Sequence, residues 1–341
     1  MHQLKLIALP NIKNLTPQIN QYLNDLYSPD QKINYLADAE FIRFNNGEGK
    51  CVIKDDVSGC DIFILCDPSN YGIEYDLIGT KHSVGPDEHI QDIKRAISAI
   101  GGRAHRINVV MPFLYQGRQD KRKIAESLDC AMLLKELEWY GVKNIITVDA
   151  HNISVENAIP FGMSFYNHSM LNQLISKFAS SVQYDKLFVV SPDSGASKKA
   201  DLCAKKLGIS KVGTFEKRRN YTVVAEGQNP IEYHKFNGPK TLAGYDILLI
   251  DDMIASGNSL ISSIKRLKEL HASKIHLMTT FSLFTSGLQC FIDAHQAKLF
   301  DSLFTTNLSY IPTSYQKHRF IHIVDCSKQI AEAIYNINTN S

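Results

Sequence analysis

The sequence lacks the features that would place it in several common classes of protein. Its seven cysteines contain no CxxC pair, and no run approaches 18 apolar residues, so zinc-ribbon, thioredoxin-like and membrane-spanning interpretations have no support. The odd number of scattered cysteines favours free thiols in a reducing, cytoplasmic compartment. The N-terminus has no long apolar core, so we expect no signal peptide.

An excess of charge of one sign is also nearly absent. The 341 residues include 37 Lys and Arg against 35 Asp and Glu, which gives a net charge of +2. Proteins that bind nucleic acid or an anionic membrane usually carry a clearer basic surplus, so we expect neither partner. The length and the 44% hydrophobic content are typical of a globular protein with two domains.

Six short apolar segments alternate with segments of helical periodicity. Runs rich in Val, Ile and Leu are typical of strands buried on both faces of a parallel sheet. Repeated strand–helix units favour an open α/β sheet, which binds ligands beyond the carboxyl ends of its strands. The predicted strands are 61–67, 107–113, 145–150, 187–193, 246–252 and 275–281, the predicted helices include 130–141 and 260–270, and the predicted long loops are 71–89 and 215–240.

The segment 247–259, ILLIDDMIASGNS, is the most informative part of the chain. An apolar strand is followed by Asp251 and Asp252, and a short polar turn then begins an amphipathic helix. The first N–H groups of a helix have no intrahelical partner and form a site for a phosphate dianion. Gly257 allows a positive φ, so the backbone can close on such an anion. The two carboxylates suit ribose hydroxyls or a metal ion.

An ordinary helix capped by Ser256 or Ser259 is the alternative interpretation of this turn. The pattern contains no GxxxxGK[ST] and is not a Walker loop. As a whole it resembles the ribose-phosphate-binding signature of type I phosphoribosyltransferase folds. The resemblance implies that ribose 5-phosphate is bound by Asp251, Asp252, Ser256, Gly257, Asn258 and Ser259, together with Asp193.

Five further motifs narrow this resemblance to one family. They are FIRFNNGE (41–48), MPFLYQGRQD (111–120), TVDAHN (147–152), VSPDSGA (190–196) and FEKRRN (215–220). In order and spacing they resemble ribose-phosphate pyrophosphokinase, also called phosphoribosyl pyrophosphate synthetase. The resemblance implies two tandem phosphoribosyltransferase-like (Rossmann-like) α/β domains, each a mainly parallel sheet flanked by helices. We expect them at 1–157 and 158–315, with 316–341 packing back on the first.

Two of these motifs have the chemistry of a nucleotide site. Phe44 offers an aromatic face and its neighbours offer polar edges, which suits a purine, although an Asn-Gly hairpin turn explains the same residues. Arg118 suits bidentate bonding to phosphate, with a solvated charged turn as the alternative. The resemblance implies that the ATP contacts are Phe44, Asn46, Glu48, Arg118, Gln119 and Asp120.

The remaining motifs are implied to bind the metal and the transferred group. His151 and Asp193 are the implied ligands of a catalytic Mg²⁺, although a strand-end histidine can also simply cap the backbone. The N–H groups of Ser194, Gly195 and Ala196 are implied to hold the diphosphate, unless Asp193 serves only as a helix cap. The implied stabilisers of the transition state are Lys217 and Arg219, although a KRR run is often only a solvated surface.

The reaction implied by the family is the conversion of ATP and ribose 5-phosphate to phosphoribosyl pyrophosphate and AMP. Two alternatives stay open, a phosphoribosyltransferase that consumes this diphosphate and a catalytically silent regulatory subunit. The resemblance also implies a homo-oligomer, dimer-based or hexameric, with an ATP site shared between subunits. Two departures stand out, Ala255 in place of the usual acidic residue and residues 72–89, which resemble an insertion.

Overall fold

The six apolar runs all form strands in the computed structural model of the chain. The structure describes residues 2–27, 30, 32–119, 122, 125–219 and 231–340, and it describes only the backbone at 217–219 and 231–234. The strands Asp61–Leu65, Leu187–Ser191 and Ile275–Ser282 are buried along their whole length. Two compact units result, one formed by Met1–Ser169, Asn307–Tyr310 and Asp325–Ser341 and the other by Met170–Thr306 and Ile311–Val324.

The first unit alternates strands and helices and adds two small hairpins. Its elements are β1 (Leu4–Ala8), α1 (Thr16–Tyr27), β2 (Ala39–Arg43), β3 (Gly49–Ile53), β4 (Asp61–Leu65), β5 (Glu74–Leu77), β6 (Thr80–Ser83), α2 (Pro86–Ile100), β7 (Arg106–Val110), α3 (Asp129–Trp139), β8 (Val142–Val148) and β9 (Ser164–His168). Five strands form a parallel sheet in the order β1-β4-β7-β8-β9. The pairs β2–β3 and β5–β6 are separate antiparallel hairpins.

The second unit is built on a larger sheet. Its elements are α4 (Leu171–Ser181), β10 (Leu187–Ser191), α5 (Ser197–Lys206), β11 (Val212–Arg219), β12 (Ile231–Asn237), β13 (Asp246–Ile254), α6 (Asn258–Glu269), β14 (Ile275–Ser282), α7 (Gln289–Gln296), β15 (Ser302–Thr306), α8 (Thr313–Gln316) and β16 (Ile321–Val324). The strand order is β12-β11-β10-β13-β14-β15-β16, and among the described strands of this sheet only β12 runs antiparallel to its neighbour. The chain then returns to the first unit as α9 (Ser327–Thr339).

The boundaries between the two units differ from the domain boundaries expected from the sequence. The first unit extends to residue 169 rather than 157, because β9 pairs with β8 and completes the first sheet. The segment 311–324 belongs to the second unit because β16 pairs with β15. Only 325–341, which contains α9, joins the first unit at the C-terminal end, where α9 packs on α1.

The predicted helical periodicities are confirmed. On α3, Cys130, Leu133, Leu134 and Leu137 are all buried. On α6, Leu260, Ile264 and Leu267 are buried, and Ile261 lies at the margin of that face. Within the described part of the chain, every helix is too short or too polar to traverse a lipid bilayer.

The prediction of a long loop at 71–89 is wrong, because these residues contain the β5–β6 hairpin and the first turn of α2. The prediction of a loop at 215–240 is wrong for 215–219 and 231–237, which form the end of β11 and all of β12, and residues 220–230 lie outside the described part of the chain. Neither stretch carries a continuous apolar run. β5 alternates exposed and half-buried residues, and in β11 and β12 the rings of the paired Phe215 and Phe236 lie with their centroids 5.1 Å apart. At the β5–β6 turn Ile78 and Gly79 both have positive φ, 49° and 79°, as a two-residue hairpin turn requires.

A buried polar network ties α9 to the first sheet. The carboxylate of Asp61 is fully buried and accepts hydrogen bonds from Arg106 Nε (2.9 Å), Asn108 Nδ2 (2.7 Å) and Asn338 Nδ2 (2.9 Å). Arg106 also donates to the carbonyl of Ile337 in α9, at 2.9 Å. The ion pair between Asp61 and Arg106 therefore holds together β4, β7 and the last helix. Removing one partner of such a pair leaves an uncompensated buried charge.

We expect Arg106→Ala to lower the free energy of unfolding by about 3–5 kcal/mol, because Asp61 loses its only charged partner in this network. Urea denaturation followed by circular dichroism measures this loss. Arg103→Ala is the matched control, since Arg103 is exposed and its guanidinium donates to the carbonyls of Ala99 and Ile100 at the end of α2. Equal midpoints for the two variants would contradict the prediction.

Candidate active site

The start of α6 has the backbone geometry of an anion-binding turn. Gly257 occupies the N-cap position with φ 86°, and no side chain caps this helix. A Cβ built on Gly257 would lie 2.4 Å from Phe291 Cε2, so a larger residue does not fit there. The alternative of a helix capped by Ser256 or Ser259 is therefore wrong. The first-turn N–H groups of α6 follow directly on a glycine that lets the backbone approach closely.

The two acidic residues before this turn lie inside the strand and not after it. β13 runs to Ile254, two residues beyond the predicted end, and its pairing with β14 continues through Asp251, Met253 and Ile254. Both carboxylates are partly buried, and each accepts a hydrogen bond from the next backbone N–H. Asp252 N donates to Asp251 Oδ1 at 2.9 Å, and Met253 N donates to Asp252 Oδ1 at 2.8 Å. These bonds fix the two side chains close to the sheet edge.

The loop after β10 is organised by the carboxylate of Asp193. Its Oδ1 atom accepts hydrogen bonds from the N–H groups of Gly195 (2.9 Å) and Ala196 (3.2 Å), two of the groups predicted to hold a diphosphate. The alternative interpretation of Asp193 as a helix cap is wrong, because Ala196 occupies the N-cap position of α5 and no side chain caps that helix. Ser194 and Gly195 are exposed, so the loop faces outward from the sheet.

Parallel pairing brings these two acidic segments together. β10 pairs with β13 from Leu187–Asp246 to Val190–Leu249, so both strands end at the same edge of the second sheet. Burial raises the pKa of Asp251 well above its ordinary value, and the negative charges of Asp252 and Asp193 raise it further. Three carboxylates therefore repel one another at this edge. Such a cluster attracts a cation or hydroxyl donors.

A lysine outside the sequence motifs reaches the same sheet edge. Lys199, one turn into α5, donates from Nζ to Thr280 Oγ1 at 2.7 Å. Thr280 lies in β14 between Thr279 and Phe281, which pair with Asp251 and Met253 of β13. The lysine therefore crosses from α5 to the strand beside the acidic residues. The signal for it was present in the sequence, since Lys199 lies six residues after Asp193, but a Lys-Lys pair on a helix usually indicates a solvated surface.

The implied catalytic residues lie beyond this edge on an extension of β11. β11 pairs with β10 only as far as Ser191–Thr214, and the backbone of 215–219 continues past that point beside β12. The side chains of Lys217 and Arg219 lie outside what the structure describes. In the first unit, Asp120 also lies outside the described residues.

The predicted purine-binding residues form the tip of the β2–β3 hairpin. Phe44 N donates to Glu48 O at 2.8 Å and Gly47 N donates to Phe44 O at 2.9 Å, while Gly47 has φ 91°. Asn46 Nδ2 donates to Glu48 Oε2 at 2.9 Å, so two predicted ATP contacts bond to each other. The ring of Phe44 is 45% exposed, which leaves it available to stack on a ligand. The Asn-Gly hairpin turn and an exposed aromatic face are thus both present.

The other predicted residues of the first unit lie on two further turns after strands. Arg118 and Gln119 are exposed in the turn after β7, where Gln119 N donates to Gln116 O at 2.8 Å and Gln116 has φ 51°. His151 is exposed after β8, two residues beyond Asp149, which has the uncommon φ of 40°. Backbone strain at the end of a parallel strand is a frequent feature of functional sites.

The oxygen-rich chemistry of the second unit fits Mg²⁺. Among the described residues, no three His, Cys, Asp or Glu side chains are arranged to hold a metal ion by themselves. Mg²⁺ is usually bound through one or two carboxylates, with water and substrate phosphates completing the octahedron. The neighbouring carboxylates of Asp193, Asp251 and Asp252 meet that requirement.

Comparisons with known proteins match both halves of the chain. A family model for the N-terminal domain of ribose phosphate pyrophosphokinase matches residues 4–141, and a model for the phosphoribosyl transferase domain matches residues 166–304. Three relatives carry the name ribose-phosphate pyrophosphokinase. They come from Nostoc sp. (24% identical, over 100% of this chain and 92% of the relative), Vibrio parahaemolyticus (26%, over 97% of each) and Bacillus caldolyticus (26%, over 98% and 95%).

A solved structure agrees with the fold over the whole chain. The phosphoribosylpyrophosphate synthetase of Mycobacterium smegmatis superposes with a TM-score of 0.82 at 20% identity, over 99% of this chain and 100% of that one. The two α/β units, their parallel sheets and the order of the motifs all agree with this family. The chain therefore belongs to the ribose-phosphate pyrophosphokinase family.

Proposed function

We propose that the chain transfers the β,γ-diphosphate of ATP to the 1-hydroxyl of ribose 5-phosphate, giving phosphoribosyl pyrophosphate and AMP. The observation that carries this proposal is the pair of strand-end turns in the second unit, where an anion-binding helix start lies beside three carboxylates. In the reaction the sugar oxygen bonds to the β-phosphorus, the bond between that phosphorus and the oxygen bridging to the α-phosphate breaks, and the hydroxyl proton is released. Such transfers depend on positioning and charge neutralisation more than on covalent catalysis.

Ribose 5-phosphate is assigned to the turn 256–259 and the strand before it. The N–H groups at the start of α6 and the hydroxyls of Ser256 and Ser259 surround the 5-phosphate, and Gly257 provides the close approach. Asp251 and Asp252 then face the ribose, where their carboxylates accept hydrogen bonds from its hydroxyls. Asn258, the first residue of α6, is exposed and completes the turn.

Mg²⁺ is assigned to the carboxylate cluster of the second unit, with Asp193 as a ligand. The family resemblance also implies His151, a residue of the first unit, as a ligand. When bound, the ion neutralises phosphate charge and lowers the pKa of the attacking hydroxyl. Asp251 and Asp252 contribute negative charge that attracts it. No described residue is assigned as a general base.

The diphosphate is assigned to the loop 193–196. Its amides at Gly195 and Ala196 donate to Asp193, and a bound diphosphate with Mg²⁺ competes for the same donors and the same carboxylate. Ser194 provides a third N–H group. Lys217 and Arg219 are assigned as the cations that stabilise the negative charge developing in the transition state. Their position on β11 supports this assignment, because β11 extends beyond β10 at the edge of the sheet where the loop 193–196 begins.

The nucleotide is assigned to Phe44, Asn46 and Glu48, with Arg118, Gln119 and Asp120 on its phosphates. We propose that the chain is a homo-oligomer, dimer-based or hexameric, in which the 44–48 turn of one protomer reaches the ATP of its neighbour. The outward exposure of Phe44 supports this arrangement. The absence of a disulfide among the seven cysteines, all of which are described, is in keeping with a cytoplasmic enzyme.

Incubation of the purified chain with Mg-ATP and ribose 5-phosphate tests the reaction. We expect AMP to form in equal amounts with a sugar pyrophosphorylated at its 1-position, and ³¹P NMR identifies both products. Omission of ribose 5-phosphate is the control and should abolish AMP formation. Absence of turnover would contradict the proposal, and altered activity of a partner synthetase on mixing would then favour a regulatory subunit.

Gly257→Ala is expected to raise the KM for ribose 5-phosphate about tenfold, since a left-handed φ costs a residue with a Cβ about 1–2 kcal/mol and the Cβ also meets Phe291. Steady-state kinetics at saturating ATP measures this change. Gly244→Ala is the matched control, because Gly244 has φ 77° in the same unit but its Cβ would meet nothing within 4 Å. An equal rise of this KM in both variants would show that backbone strain causes the rise, and would contradict a specific role of the 256–259 turn.

Lys217→Ala is expected to lower kcat about 100-fold, because the variant lacks a cation that stabilises the transition state. The KM for ribose 5-phosphate should change less than twofold, because the sugar site is retained. Rapid-quench measurement of AMP formation determines kcat. Lys235→Ala serves as control, since Lys235 lies on the opposing strand, paired with Glu216, and is exposed. An unchanged kcat in Lys217→Ala would remove this residue from the mechanism.

A further inference from the structure

The β5–β6 hairpin is the part of the first unit that the proposed function does not use. It lies within residues 72–89, which resemble an insertion in the family pattern, and its two four-residue strands pair only with each other. An isolated two-stranded hairpin is marginally stable in water. Contacts with the rest of the unit therefore determine its position.

The tip of this hairpin bonds to the turn assigned to the adenine. Ile78 N donates to the carbonyl of Asn45 at 2.9 Å. A Cβ built on Gly47 would lie 3.3 Å from Leu77 Cδ1 and 3.8 Å from the hydroxyl oxygen of Tyr75, so the inward side chains of β5 cover the glycine of the turn. The β5–β6 hairpin thus contacts the 44–48 turn through backbone and side chains.

The hairpin is itself anchored to the first turn of α2. The two carboxylate oxygens of Glu88 bond to different strands, Oε1 accepting from the Tyr75 hydroxyl and Oε2 contacting His82 Nε2, both at 3.0 Å. Glu88 Oε2 also accepts from Gly85 N at 2.9 Å. One carboxylate therefore holds both strands of the hairpin and closes the cap of the helix.

The same helix holds the base of the turn. Arg43, the last residue of β2, forms a 2.6 Å ion pair with the buried Asp92 of α2. Its guanidinium carbon lies 5.8 Å from the centre of the Tyr75 ring, within the range of a cation–π contact. Helix, hairpin and turn are thereby linked through Arg43, Tyr75 and Glu88.

We propose that the β5–β6 hairpin is a positioning element that holds the 44–48 turn in its nucleotide-binding conformation, with Tyr75 and Leu77 as its positioning residues. The inference rests on the proposed function, because it takes the turn to contact ATP. A turn that is already ordered loses less conformational freedom when ligand binds, so its affinity is higher. The contacts described here involve no residue of the second unit, so the ribose 5-phosphate site is unaffected.

Removal of the hairpin tests this inference. Ile73 O accepts from Val84 N at 2.8 Å, so the two ends lie together and Asn-Gly can replace residues 74–83. We expect hydrogen exchange of the Phe44 and Gly47 amides to accelerate at least tenfold and the KM for ATP to rise about tenfold. The KM for ribose 5-phosphate and the melting temperature should stay close to those of the intact chain.

Two point variants decide the matter where the deletion fails to fold. Tyr75→Phe removes the hydrogen bond to Glu88 and Leu77→Ala removes the contact with Gly47, and each should raise the KM for ATP about two- to tenfold, the equivalent of one lost hydrogen bond or contact. Lys81→Ala is the matched control, since the side chain of Lys81 is exposed and forms an ion pair with Asp76 on the same hairpin. It should leave both KM values and amide exchange unchanged.

Unchanged amide exchange and ATP KM in folded variants would overturn the inference while leaving the proposed reaction intact. A chain that forms no AMP in its unaltered form would instead overturn the proposed function. Hydrogen exchange would still decide whether the hairpin orders the turn, because that measurement needs no turnover.

Discussion

The parallel pairing of β10 with β13 is the constraint on which the candidate site depends. Parallel strands in register end at one edge of a sheet, so the residues that follow or end them must meet there. This places Asp193 close enough to raise the pKa of Asp251, although 58 positions separate them in the sequence numbering. A change of register between these strands would separate the carboxylates without altering either motif.

The two turns assigned to substrates are prepared for binding in different ways. The turn before α6 depends on its own backbone, with Gly257 at positive φ against Phe291. The turn 44–48 is exposed on a hairpin and depends on neighbours, namely α2 through Arg43 and the β5–β6 hairpin through Asn45 and Gly47. The first is thus determined locally and the second by contacts distant in sequence.

Sequence alone predicted the parts of the fold that follow from hydrophobic burial. The apolar runs became the central strands, and the period of 3.6 residues in 130–137 became α3, because burial on one or both faces leaves a strong pattern. The strands β5 and β6 were missed because they lie on the surface and carry polar residues on one face. The strand β12 was missed because its sequence contains no continuous apolar run. The end of β13 was misplaced because acidic residues usually indicate a strand end, whereas here Asp251 and Asp252 bond to adjacent backbone groups.

The candidate site was predicted as motifs, but its internal contacts were not. No spacing rule indicates that Lys199 of α5 reaches Thr280 of β14. Such contacts depend on strand register and on side-chain rotamers, which one sequence does not specify. The residues 74–83 carried no recognisable motif, since their described contacts are with Glu88 and the 44–48 turn, which one sequence does not reveal.

The return of α9 to the first unit has a consequence for the order of folding during synthesis. Asn338 completes the network around Asp61, and 277 residues separate the two along the chain. A ribosome therefore makes the entire second unit before the first receives its last helix. Until then the buried carboxylate lacks one of its hydrogen-bond donors, so the N-terminal half of a nascent chain waits, incompletely assembled, for the C-terminal segment to emerge.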